Sequence, residues 1–190
     1  ILIGIGLAAS VGFRIFVPLF ALSLASFYNV IPLNESWEWV GSSTAIIILG
    51  IATIVEILAY LIPWLDNLLD TIAVPLAAIA GTAVMVATVS DLDPTITWAL
   101  AIIAGGGTAT AIKGSTSSAR LASTATTAGI ANPVISTVET GTSIVMSILA
   151  IFIPILAIIL VVFIGWMLFK VFKLFKPSKI MIQKRALAAK

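Results

Sequence analysis

Four ionisable residues stand inside apolar runs where a membrane would surround them: Arg14, Glu56, Arg120 and Glu139. A lone charge at mid-bilayer costs at least about 2.5–3.5 kcal/mol on insertion scales. Two cations and two acids offset much of that cost by pairing, and an arginine fork sets two parallel hydrogen bonds on one carboxylate. The balance therefore predicts Arg–Glu contacts between helices, with Arg14 and Arg120 each reaching Glu56 or Glu139. The chemistry on offer is proton uptake by a glutamate and capture of an anionic group by an arginine. The same four charges could instead simply pin helices together.

A second polar constellation lies between Gly105 and Glu139, a stretch crowded with Ser, Thr and Gly. At helical spacing Lys113, Ser117, Arg120, Thr124 and Thr127 share one face. The opposite side is small: Ala119, Ala122, Ala125 and Gly129. That small side is expected to press against a neighbouring helix while the hydroxyls and guanidinium turn toward a partner or a water-filled space. Arg14, Glu56, Ser117, Arg120, Thr124, Asn132 and Glu139 are accordingly the candidate substrate-binding residues. Thr53-Ile54-Val55-Glu56 and Ser136-Thr137-Val138-Glu139 form a loose internal echo, of the kind left by duplicated transporter halves.

The elements that must position these residues are membrane helices. Of 190 residues, 61% are hydrophobic and 9% charged, which leaves too few charges to cover a soluble surface. Apolar runs of about twenty residues recur, each long enough for a hydrocarbon core of roughly 30 Å. The expected architecture is all-α and polytopic, with about six membrane segments in one domain over 1–169 and a basic tail over 170–190. The segments are placed at 3–27, 40–62, 72–89, 95–110, 114–131 and 134–169. Polarity makes 114–131 the candidate broken or re-entrant helix, and Asn132-Pro133 ends it. Asp66 and Asp70, beside Trp64, read as an interfacial turn or a short helix along the membrane surface. Trp64, Trp98 and Trp166 read as interfacial anchors.

Cysteine and histidine are absent, which removes disulfides, thiol redox chemistry and His-based catalysis or ligation. No catalytic residue, cofactor or metal is expected. The Gly105-Gly106-Gly107 run has no Walker lysine pattern after it. Seven Lys or Arg and no acid follow from Lys170 onward; with no soluble domain, such charge suits anionic lipid rather than nucleic acid. The expected location is a bacterial inner membrane with the C-terminus cytoplasmic. Even parity then puts the N-terminus inside and the Glu35/Glu38 and Asp91/Asp93 loops outside. The chain opens at Ile1 without Met, so its N-terminus is expected to be incomplete.

Three stretches, AASVGFRIFVPL, VEILAYLIPWLDNLLDTIAVP and AGGGTATAIKGSTSSARLASTATTAGIANP with the later STVE, resemble an uncharacterised bacterial membrane family, the domain of unknown function 4126. The resemblance runs from about Gly4 to Phe169. It implies no assigned activity. The positions it carries across are Arg14, Pro18, Glu56, Asp66, Asp70, Arg120, Asn132, Pro133 and Glu139.

From the residues, the first functional expectation is a small secondary transporter, channel or lipid flippase. It would handle a small anionic or zwitterionic solute at buried Arg/Glu pairs. The alternative is a non-catalytic accessory subunit docking a membrane-protein partner, or a homo-oligomer. An intramembrane enzyme ranks last, because a Ser117–Lys113 pair arises easily by chance in a Ser-rich helix.

Overall fold

A computed structural model describes residues 1–90 and 92–175. Asp91 of the expected outer loop, and the basic tail beyond Phe175, lie outside the described residues. Those described form helices and turns with no strand among them. Helix α1 spans Leu2–Val11, α2 Phe16–Phe27, α3 Ser43–Ala59 and α4 Pro63–Thr88. Then come α5 (Pro94–Leu100), a π-helical turn (Ala101–Gly106), α6 (Gly107–Thr127), α7 (Asn132–Phe152) and α8 (Pro154–Phe175).

Three of these elements are long and apolar enough to cross a membrane: Leu65–Thr88, Pro94–Thr127 and Asn132–Phe152. A fourth qualifies if the 3₁₀ turn Glu35–Gly41 and α3, bent 65° apart, count as one span. That is fewer than the six expected, and the reasons are local. The 95–110 and 114–131 segments are one helical rod of 34 residues. Its serines and threonines do not break it, because they bond back to their own helix: Ser115 to the Ala111 carbonyl at 2.7 Å, Ser118 to Gly114 at 2.7 Å, Thr126 to Ala122 at 2.9 Å. The glycine run does not unwind either. It forms the π turn, where a Cβ on Gly81 of α4 would lie 2.7 Å from the Gly105 carbonyl oxygen. Backbone meets backbone there, which only glycine on both sides permits. The rod stops where Ala128 and Gly129 turn to positive φ (53° and 84°), a left-handed exit of the kind that ends helices.

The broken element is instead the first one. α1 descends along α7, Gly6 against Ala150, Ser10 against Ser147 and Ser143, and Arg14 against Ser136. α2 then returns along α3, with Phe16 at Glu56, Phe20 at Gly50 and Ser23 at Val40. The segment expected to span at 3–27 is thus a hairpin. Both its ends lie beside the ends of α4 and the Glu35–Gly41 turn: Gly4 lies against Thr88, Ser26 against Gly41, and the Asn34 amide bonds the Ala87 carbonyl at 2.9 Å. The N-terminus was expected at the end opposite the Glu35/Glu38 and Asp91/Asp93 loops; Leu2 instead sits at the same end of the bundle as Glu35 and Asp93.

Expected as one long helix, 134–169 is also two, reversing at Ile153. Met146 packs on Leu160, Val161 and Ile164, so α8 runs back along α7. Leu7, Val11, Leu22, Val84 and Ala150 form the main apolar core. Small residues let α1 lie between α4 and α7. A polar zipper fixes its register, with Ser10 Oγ donating to the Ser143 carbonyl at 2.7 Å and sharing hydrogen bonds with the hydroxyls of Ser143 (2.9 Å) and Ser147 (2.7 Å).

Candidate functional site

The tip of the α1–α2 hairpin, Gly12 to Ile15, carries Arg14 into the bundle, and six further charges converge on it. Lys113 and Arg120 come from α6, Glu56 from α3, Asp66 and Asp70 from the first turns of α4, and Glu139 from α7. Arg120 and Glu139 each lie seven residues inside a helix end, about 10 Å at 1.5 Å per residue. Arg14, Lys113, Arg120 and Asp66 are fully buried, and Glu56 and Glu139 nearly so.

Arg120 is the most heavily partnered. Its Nε donates to Glu139 Oε1 at 3.2 Å, and Nη2 donates to Glu139 Oε2 in a two-pronged pairing. Nη1 donates to Asp66 Oδ2 at 3.4 Å, and Asp70 Oδ2 lies 3.8 Å from Nε. Three carboxylates therefore share one guanidinium. Arg14 donates from Nε to Thr140 Oγ1 at 2.9 Å, and from Nη2 to the Ser136 carbonyl at 2.9 Å and the Ser136 hydroxyl. Its link to Glu139 is longer, 3.7 Å. Both arginines thus reach Glu139, as expected.

Glu56 is different from the expectation. Its two oxygens accept the backbone N–H groups of Ile15 at 2.8 Å and Phe16 at 2.9 Å. The chain reverses at Arg14, so these amides have no carbonyl of a preceding turn to meet, and a carboxylate from another helix takes them. The acid also sits at the positive end of the α2 dipole. Glu56 is a cap supplied in trans, and among the described residues no Arg or Lys forms an ion pair with it.

Four participants were not singled out as embedded from sequence. Asp66 and Asp70 are not in an interfacial turn: α4 begins at Pro63 and carries them into the cluster on successive turns. Lys113, read as part of the polar stripe, is fully buried with Nζ 3.7 Å from Asp70 Oδ1. Tyr60 sits at the centre. Its hydroxyl donates to Asp70 Oδ1 at 3.3 Å, and Arg14, Arg120 and Lys113 lie 4.1, 4.6 and 4.8 Å from its ring centroid. An aromatic face attracts cations, and one ring here serves three. The helical spacing Thr53, Glu56, Tyr60 was the available signal for it.

The α6 stripe faces inward. Ser117 donates to Asp70 at 3.4 Å, and Thr124 accepts from Asn132 Nδ2 at 3.0 Å. Asn132 Nδ2 also donates to Asp66 Oδ2 at 2.9 Å. The small side expected to pack inward is the outer one: Ala119, Ala122 and Ala125 are exposed. Burying polar groups among charges outweighs burying methyl groups when the outside is hydrocarbon.

Formally the cluster holds three cations and four acids. Four of its buried atoms have no hydrogen-bond partner among the described residues: the donors Arg14 Nη1 and Lys113 Nζ, and the acceptors Asp66 Oδ1 and Asn132 Oδ1. Such atoms bind polar groups of a ligand or of water, since leaving each unmet costs roughly 1–3 kcal/mol. Two apolar clefts reach the cluster. One, about 310 Å³, lies between α2, α3 and α4 and ends on Glu56 and Tyr60. The other, about 270 Å³, runs between α6 and α7 and ends on Glu139. Among the described residues no group of three or more acids, His or Cys is arranged to hold a metal ion.

The family described as Domain of unknown function (DUF4126) matches residues 1–173. No curated protein and no solved structure matches the chain. The chain belongs to the DUF4126 family.

Proposed function

We propose that this protein is a small membrane carrier whose site is the charge cluster around the hairpin tip. One observation carries the reading: the cluster is incompletely satisfied. A set of charges that only pins helices would be selected for closed pairs, as Arg120 and Glu139 are. Arg14 and Lys113 instead keep a free donor each, and Asp66 and Asn132 a free acceptor each. A discontinuous helix entering from one side and stopping at a charged site is the arrangement by which carriers expose backbone and side-chain groups to a solute. Arg14 binds the anionic group in this reading. Arg120 holds α4, α6 and α7 around it.

The test is flux in proteoliposomes carrying the full chain. The probes are radiolabelled acetate, phosphate and glutamate, and a fluorescent anionic phospholipid. At least one is expected to move faster than in protein-free vesicles, with Arg14→Gln returning it to background while the protein still inserts. If no probe moves, or Arg14→Gln moves it as fast as wild type, the reading falls.

A second reading has its own observation. The outer side of α6 is small, and a Cβ on Gly107 or Gly114 would meet nothing within 4 Å. Such a face suits close docking of another helix, as an accessory subunit or homo-oligomer requires. Crosslinking from Ala122→Cys, in a chain otherwise free of cysteine, distinguishes the two: a partner-dependent adduct with no flux supports the subunit.

A further inference from the structure

The cleft between α2, α3 and α4 opens sideways. Val55, Ile72 and Leu76 line it and are 58%, 50% and 42% exposed, on helices whose outward faces are apolar. Its mouth therefore meets hydrocarbon rather than water, and an ion free in solution cannot approach that way without losing its hydration. Its volume, about 310 Å³, is at the small end of the ~300–1,000 Å³ typical of ligand pockets.

The inner end differs chemically from the walls. Glu56 and Tyr60 close it. The Glu56 carboxylate is occupied by the Ile15 and Phe16 amides, so its charge is largely met by the α2 N-terminus. Tyr60 lines the cleft, and its ring also carries the three cations. It is thus the partition between an apolar groove and a cationic interior. Arg120 is committed to three carboxylates. The donors without a partner are Arg14 Nη1 and Lys113 Nζ, and the acids beside those two side chains stand at 3.7 Å in each case, long enough for a better-placed anion to compete.

We infer that this cleft takes a single-chain amphiphile with one anionic head, a carboxylate or phosphate monoester. The chain lies along Val55, Ile72 and Leu76, and the head reaches Arg14 Nη1 and Lys113 Nζ when the Tyr60 ring swings aside. This rests on the carrier reading and names its substrate class. The second cleft is a poorer candidate, because it ends on Glu139, an acid already shared by both arginines.

The test uses the full chain in nanodiscs of phosphatidylcholine. The probes are a long-chain fatty acid bearing a diazirine and the same chain ending in an alcohol, with adducts mapped by mass spectrometry. The acid is expected to label α3 and α4 around Val55, Ile72 and Leu76 several-fold more than the alcohol. Leu76→Trp, a lipid-facing change away from the charges, is expected to lower labelling by both probes. Lys113→Met is expected to reduce acid labelling to the alcohol's level and leave the alcohol's unchanged. Labelling spread evenly over the outer surface, or indifferent to head charge, overturns the inference, as does acid labelling that survives Leu76→Trp. If a water-soluble anion is carried in an Arg14-dependent manner while the fatty acid labels without preference, the inference fails and the carrier reading stands.

Discussion

The trans cap at the hairpin tip makes a quantitative prediction. Glu56 holds two backbone amides with its two oxygens. A hydrogen bond to a charged group contributes about 1.5–3 kcal/mol, and a carboxylate at a partly buried helix N-terminus adds up to about 2 kcal/mol. Glu56→Gln keeps the shape and one acceptor, but its NH₂ then faces the second amide, donor against donor. The expected loss is about 2–3 kcal/mol. Glu56→Ala leaves both amides unmet, at roughly 1–3 kcal/mol each, so about 4 kcal/mol is expected. The assay is reversible unfolding by dodecyl sulfate in mixed micelles, with hydrogen exchange read at the Ile15 and Phe16 amides. Those two amides should exchange faster in both variants, before any global opening. If Gln unfolds within about 0.5 kcal/mol of wild type, the scatter of a neutral change, with both amides as protected as before, the carboxylate does not hold the tip.

Arg120→Met should cost about 3–5 kcal/mol, since it strands three buried acids, and Arg120→Lys should cost less; paired with Glu139→Gln, the double variant should fall short of additivity by at least about 1 kcal/mol in the same unfolding assay. Tyr60→Phe should cost only about 1 kcal/mol for the lost bond to Asp70, whereas Tyr60→Leu removes a cation–π surface of roughly 0.5–2 kcal/mol per cation and should destabilise distinctly more. Gly81→Ala should destabilise by about 1–3 kcal/mol through overpacking against the Gly105 carbonyl. Gly107→Ala, with open space around it, should be neutral or stabilising by up to about 1 kcal/mol; equal melting shifts for the two glycines would contradict the packing assigned to that crossing.

Membrane helices and the pairing of Arg14 and Arg120 with Glu139 were legible because both follow from the cost of bare charge in hydrocarbon. So was the inward stripe of Lys113, Ser117, Arg120 and Thr124, which is periodicity alone. The location of the break was not. Polarity marked 114–131 as the weak span, but Ser115, Ser118 and Thr126 spend their hydroxyls on carbonyls one turn back, so a poor hydropathy score coexists with an intact helix. The 3–27 run is apolar but for Arg14 and a few serines, and looked continuous. Its reversal at Arg14 is a tertiary fact, made affordable by Glu56, forty residues on. Asp66 and Asp70 were misplaced for a related reason: four apart beside Trp64, they read as belonging to the membrane surface, whereas Pro63 is the first residue of a long helix that carries them inward. Tyr60 gave no warning beyond its spacing from Glu56, because an aromatic residue near a helix end is commonly an interfacial anchor.

The echo between Thr53–Glu56 and Ser136–Glu139 acquires a spatial meaning at the tip. Arg14 lies between the two glutamates, which grip its segment by different means. Glu139 takes the guanidinium and Glu56 takes the next two amides. Each glutamate also ends a lateral cleft, and the residues flanking Arg14 divide between them, Phe16 in the cleft of Glu56 and Phe13 in that of Glu139. A shift of the tip toward one glutamate would therefore move a wall of each cleft at once, because Ile15 and Phe16 line one and Phe13 the other. A ligand that loosens the 3.7 Å contact of Arg14 with Glu139 would change the hold of α7 on the hairpin, whereas the Glu56 cap would still fix the hairpin to α3. The two grips are unequal, one to a side chain and one to backbone, so the guanidinium is the part free to respond. A ligand can shift such an element only by the difference in its affinity for two arrangements. Under the carrier proposal, that difference would be set at this tip by whether Arg14 Nη1 meets an anion.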